Sequence, residues 1–241
     1  MVLLRKIKSG IYHIRQYFFE KHALPLVKGD KISKAVLKKY LPHNAVIIDC
    51  GAHDGADTVE LARCFKKGSI HAFEPVEKLY KKLTHNASTC SNISTYQLAL
   101  ADRNGSMDFY ISEGGSDASS SLLEPKEHLT DHPDTFFEAK TTVDTLTLDQ
   151  WAMNIHISGV DLLWLDMQGF ELNMLKASPV ILETVSVIHT EVSTKETYKS
   201  VASYEAYSNF LRSKGFELVI EAIPAGWDMG NALFVKKIKA D

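Results

Sequence analysis

Apolar and polar positions along this 241-residue chain repeat with two periods, and these periods set out its elements. A helical stretch is expected over 30–40. AVIIDC (45–50) is then a near-continuous apolar run ending in Asp-Cys-Gly, followed by a helical stretch from Asp57 to Phe65. That is strand, tight turn and helix. SIHAFEP (69–75) is a second strand stopped by Pro75, whose fixed φ suits the start of a helix over 76–87. ISTYQLALA (93–101) makes a third strand, and short strands are expected at 106–111 and 139–144. VDLLWLDM (160–167) leads into a helix at 170–177, and TVSVIHTEV (184–192) is a β-branched, buried-looking strand. YEAYSNFLRSKG (204–215) is a helix with Gly215 at its C-cap.

Strand and helix alternate throughout, which implies a parallel sheet covered on both faces. The last two strands, FELVIEAI (216–223) and NALFVKKI (231–238), are only seven residues apart. A parallel crossover needs a dozen or more residues, so this pair must be antiparallel. The expected fold is α/β, Rossmann-like and doubly wound, with a mostly parallel seven-stranded sheet and a C-terminal antiparallel hairpin. The Gly-, Ser- and Asp-rich segment 112–138 is long for an idle connection and is expected to form a lid.

Composition adds bounds. Hydrophobic residues at 45% and charged residues at 24% suit a globular domain, and no run approaches the roughly 18 apolar residues of a membrane span. Charge is unevenly placed: residues 1–40 hold ten of the 27 Lys/Arg against Glu20 and Asp30. Beside these bases, Val2, Leu3, Leu4, Ile7, Ile11, Ile14, Tyr17 and Phe18 approximate a helical stripe. The chain is therefore divided into a basic amphipathic segment (1–42) and a main domain (43–241). The leader is expected to pack on the domain or on a partner, with peripheral contact of residues 1–22 to an anionic membrane as the second reading. Cys50, Cys64 and Cys90 show no CxxC spacing, and no export signal is apparent. A cytoplasmic location is expected, at the inner membrane surface if the leader binds lipid. No basic groove interleaved with aromatics is present, which weighs against nucleic acid as substrate.

Ligands of open α/β sheets bind beyond the carboxyl ends of the strands. Asp49, Gly51, His53, Asp54 and Gly55 stand at the end of the first strand, where the two glycines admit a tight turn. The turn is D-C-G-A-H-D-G, not G-x-G-x-x-G, and His53 would crowd a pyrophosphate. A turn with carboxylates suits a ligand with an amino-acid tail, such as S-adenosylmethionine (SAM). Glu74, followed by Pro75, ends the second strand and is placed to accept from ribose hydroxyls; Asp102 follows the third and is a candidate for the adenine amino group.

IIDCGAHDG, AFEP, VDTLTLDQW, LLWLDMQGFELNMLKAS and IHTEV, in this order and spacing, resemble the FkbM family of SAM-dependent methyltransferases. The resemblance runs over roughly 44–236 and is most specific from Val143 to Ala177. It implies the class I methyltransferase fold and O-methylation of a sugar, glycan or natural-product hydroxyl. The closing hairpin agrees, since it separates that topology from the all-parallel dinucleotide dehydrogenases. One departure stands out: Asp-x-Glu-Gly-x-Glu is usual, and here the residues are Asp166, Gln168, Gly169 and Glu171.

Methyl transfer to a hydroxyl requires in-line positioning and a group that takes the proton. Asp166 ends the fourth strand, Glu191 the fifth, and His189 lies two residues back; these are the candidate bases. A divalent ion held by Asp166 and Glu191 is the less favoured alternative. Gln168, Glu171 and Trp227, the last in the final hairpin loop, are candidate acceptor contacts. Two other functions stay open: a SAM-binding protein without catalysis, to which Gln168 points, and a nucleotide-binding oxidoreductase on a similar fold.

Overall fold

The structure is a computed structural model that describes residues 26–126 and 134–237. The expected leader helix and membrane contact of residues 1–22 lie outside them, as does the middle of segment 112–138. Among the described residues no helix is long and apolar enough to cross a membrane.

Among the described residues twelve strands and six α-helices follow in chain order: β1 (Val27–Lys28), β2 (Lys31–Ile32), β3 (Val46–Cys50), α1 (Ala56–Cys64), β4 (Ser69–Phe73), α2 (Glu77–Ala87), β5 (Ile93–Tyr96), β6 (Ala99–Leu100), β7 (Gly105–Gly114) and β8 (Thr135–Leu146), then α3 (Leu148–Asn154), β9 (Leu162–Leu165), α4 (Glu171–Lys176), α5 (Pro179–Thr184), β10 (Val187–Ser193), α6 (Tyr204–Ser213), β11 (Phe216–Ala222) and β12 (Met229–Lys236). Seven strands form one sheet in the order β11-β12-β10-β9-β3-β4-β5. β3 pairs in parallel with β4 and β9, and β12 runs antiparallel to both β10 and β11. The expected closing hairpin is therefore present.

Alternate residues of the buried strands face opposite layers, as strand geometry requires. Ile48, Leu163 and Ile188 pack with Trp151, Leu175, Ile181 and Leu211 from α3 to α6. Ile47, Leu162, Trp164 and Val187 pack with Leu61 of α1, with Phe65 at its C-cap and with Val36 and Leu37. Thr147 and Ser203 cap α3 and α6 through their hydroxyls. Asp149 accepts from the backbone N–H of Val180 and Ile181, fixing the start of α5 (3.0 and 2.8 Å).

Three expectations need correction. Over 30–40 the chain forms not one helix but the β1–β2 ribbon, turning at Gly29 with φ 64°, and a 3₁₀ turn at Lys34–Lys39. The third strand does not run through 93–101: β5 ends at Tyr96 as the edge of the main sheet, and Ala99–Leu100 pairs with β8 in a separate sheet ordered β6-β8-β7. Apolar continuity had hidden the change of partner. The short strands flanking 112–138 extend to Gly105–Gly114 and Thr135–Leu146 and pair with each other, so the two ends of that segment belong to a hairpin. Helices α3 and α5 were not expected.

Gly51 fixes the geometry at the sheet's centre. Its φ is 81°, and a Cβ there would lie 1.9 Å from the backbone oxygen of Asp166. We expect Gly51→Ala to lose at least about 2 kcal/mol of stability, since backbone rather than a flexible side chain must move. Gly215→Ala serves as control: φ is 88° but nothing lies within 4 Å of the new Cβ, so only the left-handed penalty of about 1–2 kcal/mol applies. Urea unfolding of both variants measures the difference, and equal losses would show that the close approach carries no cost.

Candidate active site

The carboxyl ends of β3, β4 and β9 open onto a cleft that is partly open to solvent. Gly51, His53, Glu74 and Pro75 line it on one side, and Asp166, Met167 and Gln168 on another. Leu79, Leu98, Leu100, Phe109 and Leu122 give it an apolar part, and Asp117 to Ser120 pass over it. The small sheet thus contributes Phe109 and Leu100 to the wall. A second cleft lies beyond Gln168, lined by Glu171, Glu191, Ser193, Thr197, Tyr198, Tyr204 and Tyr207 among others.

Glu74 is buried, with Oε2 accepting from the N–H of His53 (3.0 Å) and Oε1 from that of Val76 (2.8 Å). Each oxygen keeps a second lone pair for a ligand. Burial pushes its pKa up to about 7, against the pull of those two hydrogen bonds. His53 has φ 52°, rare for a residue with a side chain, and Nε2 stands 2.9 Å from Asp117 Oδ1. Asp117 therefore ties the passing segment to the β3 turn. Within the described residues that segment is a strap and not a free flap: Ser112 and Ser120 bond to each other, and Tyr110 pairs with Ser121.

Asp49 and Asp54 do not line either cleft. Asp49 is buried, accepts from Thr58 Oγ1, and has its pKa pushed up to about 7 by burial. Asp54 accepts from the N–H of Ala56 at the start of α1, and Gly55 (φ 84°) packs on Leu83. Asp102 follows β6 in the small sheet, is exposed beside Arg103, and does not reach the cleft. Trp227 is 61% exposed in the β11–β12 turn, away from both clefts.

Asp166 and Glu191 stand side by side, one residue beyond the Leu165–Thr190 register of β9 and β10. Gln168 Nε2 donates to both, at 2.8 Å to Asp166 Oδ1 and 2.8 Å to Glu191 Oε2. Surrounding protein raises the pKa of each. Asp166 faces the cleft, and Glu191 is raised also by the charges of Asp166 and Glu171. Glu171 Oε1 accepts from the N–H of Met167 (2.9 Å) and Gly169 (3.3 Å), so this carboxyl shapes the β9 turn. Burial pushes its pKa up to about 7.

His189 is placed apart from the cleft. It stacks flat on Trp164 with ring centroids 3.4 Å apart, and Lys34 Nζ lies 4.6 Å above the Trp164 ring. Both His189 nitrogens are buried without a hydrogen-bond partner, and burial lowers its pKa to about 3. The sequence placed His189 on the right strand face but one row below the edge. Among the described residues no three His, Cys, Asp or Glu side chains group to hold a metal ion. Between Asp166 and Glu191 the donor is already an amide N–H, whose positive end points where a cation would sit.

The sheet order, with β12 antiparallel between β10 and β11 and the cleft at the ends of β3, β4 and β9, defines the class I methyltransferase fold. A solved structure of methyltransferase FkbM from Methylobacillus flagellatus shares it, with a TM-score of 0.52 and 15% identity over 80% of this chain and 44% of that one. The family model of the methyltransferase FkbM domain matches residues 49–218, and the chain belongs to this family. It is similar to the 2-O-methyltransferase NoeI of Sinorhizobium fredii, 29% identical over 196 residues and covering 79% of this chain and 80% of that one. It also resembles part of the AMB antimetabolite synthetase AmbE of Pseudomonas aeruginosa, 26% identical over 81% of this chain but only 11% of that protein. Family membership sets aside the oxidoreductase alternative.

The raised carboxyl pKa values have a consequence for stability. Between about pH 4, where such groups titrate in the unfolded chain, and about pH 7, the folded state holds more protons, so stability falls as pH rises. His189, lowered to about 3, opposes this only up to its ordinary value of 6.5. The unliganded protein should therefore lose melting temperature between pH 6.5 and 7.5. Glu171→Gln, which keeps one acceptor oxygen, should flatten that decline by up to about 1.4 kcal/mol per pH unit. Thermal unfolding across this range checks it, and parallel curves for the two proteins would contradict the Glu171 shift.

Proposed function

We propose that this protein is a SAM-dependent O-methyltransferase acting on a hydroxyl of a sugar, glycan or natural-product acceptor. The observation that carries the reading is the paired carboxyls of Asp166 and Glu191 at the partition between two clefts, one of them holding Glu74. The similar NoeI is a 2-O-methyltransferase, which supports oxygen as the methyl acceptor. The first cleft fits SAM: Glu74 has lone pairs for ribose hydroxyls, the leucines and Phe109 offer an apolar wall for adenine, and Gly51 leaves room at the β3 turn. When bound, SAM supplies a methyl group on a positively charged sulfur.

This chain's residues then do the rest. The second cleft, with its tyrosines and hydroxyls, receives the acceptor and brings its oxygen to the Asp166 side of the partition. Asp166 takes the hydroxyl proton as that oxygen forms its bond to the methyl carbon. The old carbon–sulfur bond breaks with its electron pair left on sulfur, and charge balances because a cation and a carboxylate both become neutral. The strap and the small sheet cover part of the cleft and limit the access of bulk water. Glu191 is the neighbouring acid that disfavours a second negative charge and so helps keep Asp166 basic.

Glu74→Ala should weaken S-adenosylhomocysteine binding by about 1–3 kcal/mol, the scale of hydrogen bonds to a charged acceptor. In the wild type, affinity should fall as pH drops through 7, because ribose hydroxyls need the charged form of Glu74 and burial holds its pKa near that value. Calorimetry at pH 6 and 8 measures both, and unchanged affinity in folded Glu74→Ala removes it from the ribose site.

For the chemical step, methyl transfer from labelled SAM to a panel of methyl hexopyranosides and oligosaccharides identifies an acceptor. Asp166→Asn should then cut turnover by at least about 10²-fold while S-adenosylhomocysteine affinity holds. Wild-type turnover in that variant would make Asp166 structural. Turnover abolished by a chelator and restored by a divalent ion would replace the direct base with a metal.

A further inference from the structure

Gln168 is the residue that lines both clefts. Its backbone is held at φ 51°, outside the range side chains favour, and such strain persists only where surrounding contacts enforce it. Here the contacts are visible on both side-chain polar atoms and on the backbone oxygen. The two hydrogens of Nε2 go to Asp166 Oδ1 and Glu191 Oε2. Oε1 accepts from the Tyr198 hydroxyl at 2.9 Å, and the backbone oxygen accepts from Ser121 Oγ at 2.9 Å. Tyr198 is buried, and its hydroxyl also lies 2.7 Å from the backbone oxygen of Ser119, so one proton serves two acceptors. Backbone bonds from Lys126 to Thr197 and from Lys199 to Glu124 stitch the same strap to the Tyr198 segment.

We propose that Gln168 is a positioning residue that orients Asp166 and Glu191 through one amide group and couples this carboxyl pair, by way of Tyr198, to the Ser119–Ser121 strap over the cofactor cleft. This rests on the reading of Asp166 as proton acceptor. The choice of a carboxamide follows from the partners. Two carboxyls on one side require donors and a hydroxyl on the other offers one, and an amide presents both functions at opposite corners. A glutamate at 168 would turn a third acceptor toward the pair. The amide fixes which oxygen of Asp166 is engaged, Oδ1, and leaves Oδ2 to face the acceptor. The same bonds favour the charged forms of both acids.

Carboxyl-carbon NMR titration of the full chain tests this without an acceptor. Gln168→Met keeps the length and removes the donors, and should raise at least one of the two apparent midpoints of the Asp166–Glu191 pair by about one pH unit, the worth of a lost hydrogen bond to a charged group. Gln168→Glu should raise them further, and Tyr198→Phe should leave them in place while speeding amide exchange at Ser119–Ser121 about tenfold or more. S-Adenosylhomocysteine affinity should stay within about threefold in all three variants. Midpoints unmoved in Gln168→Met and Gln168→Glu overturn the inference, and if the first fails to fold the second decides alone. A collapse of S-adenosylhomocysteine binding in a folded variant also overturns it, making Gln168 a cofactor contact. In the methyl-transfer assay the acid limb of the kcat profile of Gln168→Met should move up with the NMR midpoints; a limb that stays put while the midpoints move disconnects the pair from chemistry. Asp166→Asn at full turnover sinks the reading of the base instead, whatever the titrations show.

Discussion

The site depends on the approach of two neighbouring parallel strands at their carboxyl ends. β3 and β9 pair through Cys50 and Leu165, the N–H of Asp166 bonds to the oxygen of Cys50 at 3.0 Å, and the residue that follows β3 is Gly51, lying against the oxygen of Asp166. A side chain at 51 would push the strands apart at the point where their continuations separate. One continuation carries His53 into α1, and the other carries Gln168 and Glu171 into α4. The cleft is the space between them, so its width follows from the absence of one Cβ.

Around this opening the protein has gathered acids with few bases. Asp49, Glu74 and Glu171 all have pKa values pushed up to about 7, and Asp166 and Glu191 are raised as well. Each is met by donors: Thr58 for Asp49, the N–H groups of His53 and Val76 for Glu74, those of Met167 and Gly169 for Glu171, and the Gln168 amide for the pair. Hydrogen bonds to a charged group contribute about 1.5–3 kcal/mol, while desolvating an ion costs several, so burial outweighs the donors and the pKa values stay raised. Asp49, Glu74 and Glu171 are left close to their own midpoints at neutral pH. A cationic ligand in the cleft would tip them to the charged form, which links binding to proton release and gives an acid-rich site its use.

Lys34 belongs to the opposite face of this balance. It bonds to Asp57 and Glu60 of α1 and sits over Trp164, beneath which His189 is stacked. The ribbon and 3₁₀ turn that carry it pack Ile32, Val36 and Leu37 into the same core as Ile47 and Leu162. Residues 26–41 therefore help to hold the sheet that presents the carboxyls.

Much of this was legible in the chain itself. Strand runs, helix periods and the short last connection determined the doubly wound sheet and its closing hairpin, because burial on one or two faces leaves a direct imprint on residue order. The motifs IIDCGAHDG, AFEP and LLWLDMQGFE placed Gly51, Glu74 and Asp166 at strand ends, and sheet geometry makes strand ends converge. What the chain did not disclose was decided by contacts between distant segments. Nothing local distinguishes Asp102, which ends beside Arg103, from an acid that reaches the cleft, since the turn at 97–98 sends the chain to another sheet. His189 and Glu191 share a strand face two residues apart, yet only the second passes the sheet's edge, because the register with Trp164 and Leu165 sets where the edge falls. Gln168 looked like a lost charge in sequence; in the fold its amide meets Asp166, Glu191 and Tyr198, and only tertiary structure brings those partners within hydrogen-bonding distance of one side chain.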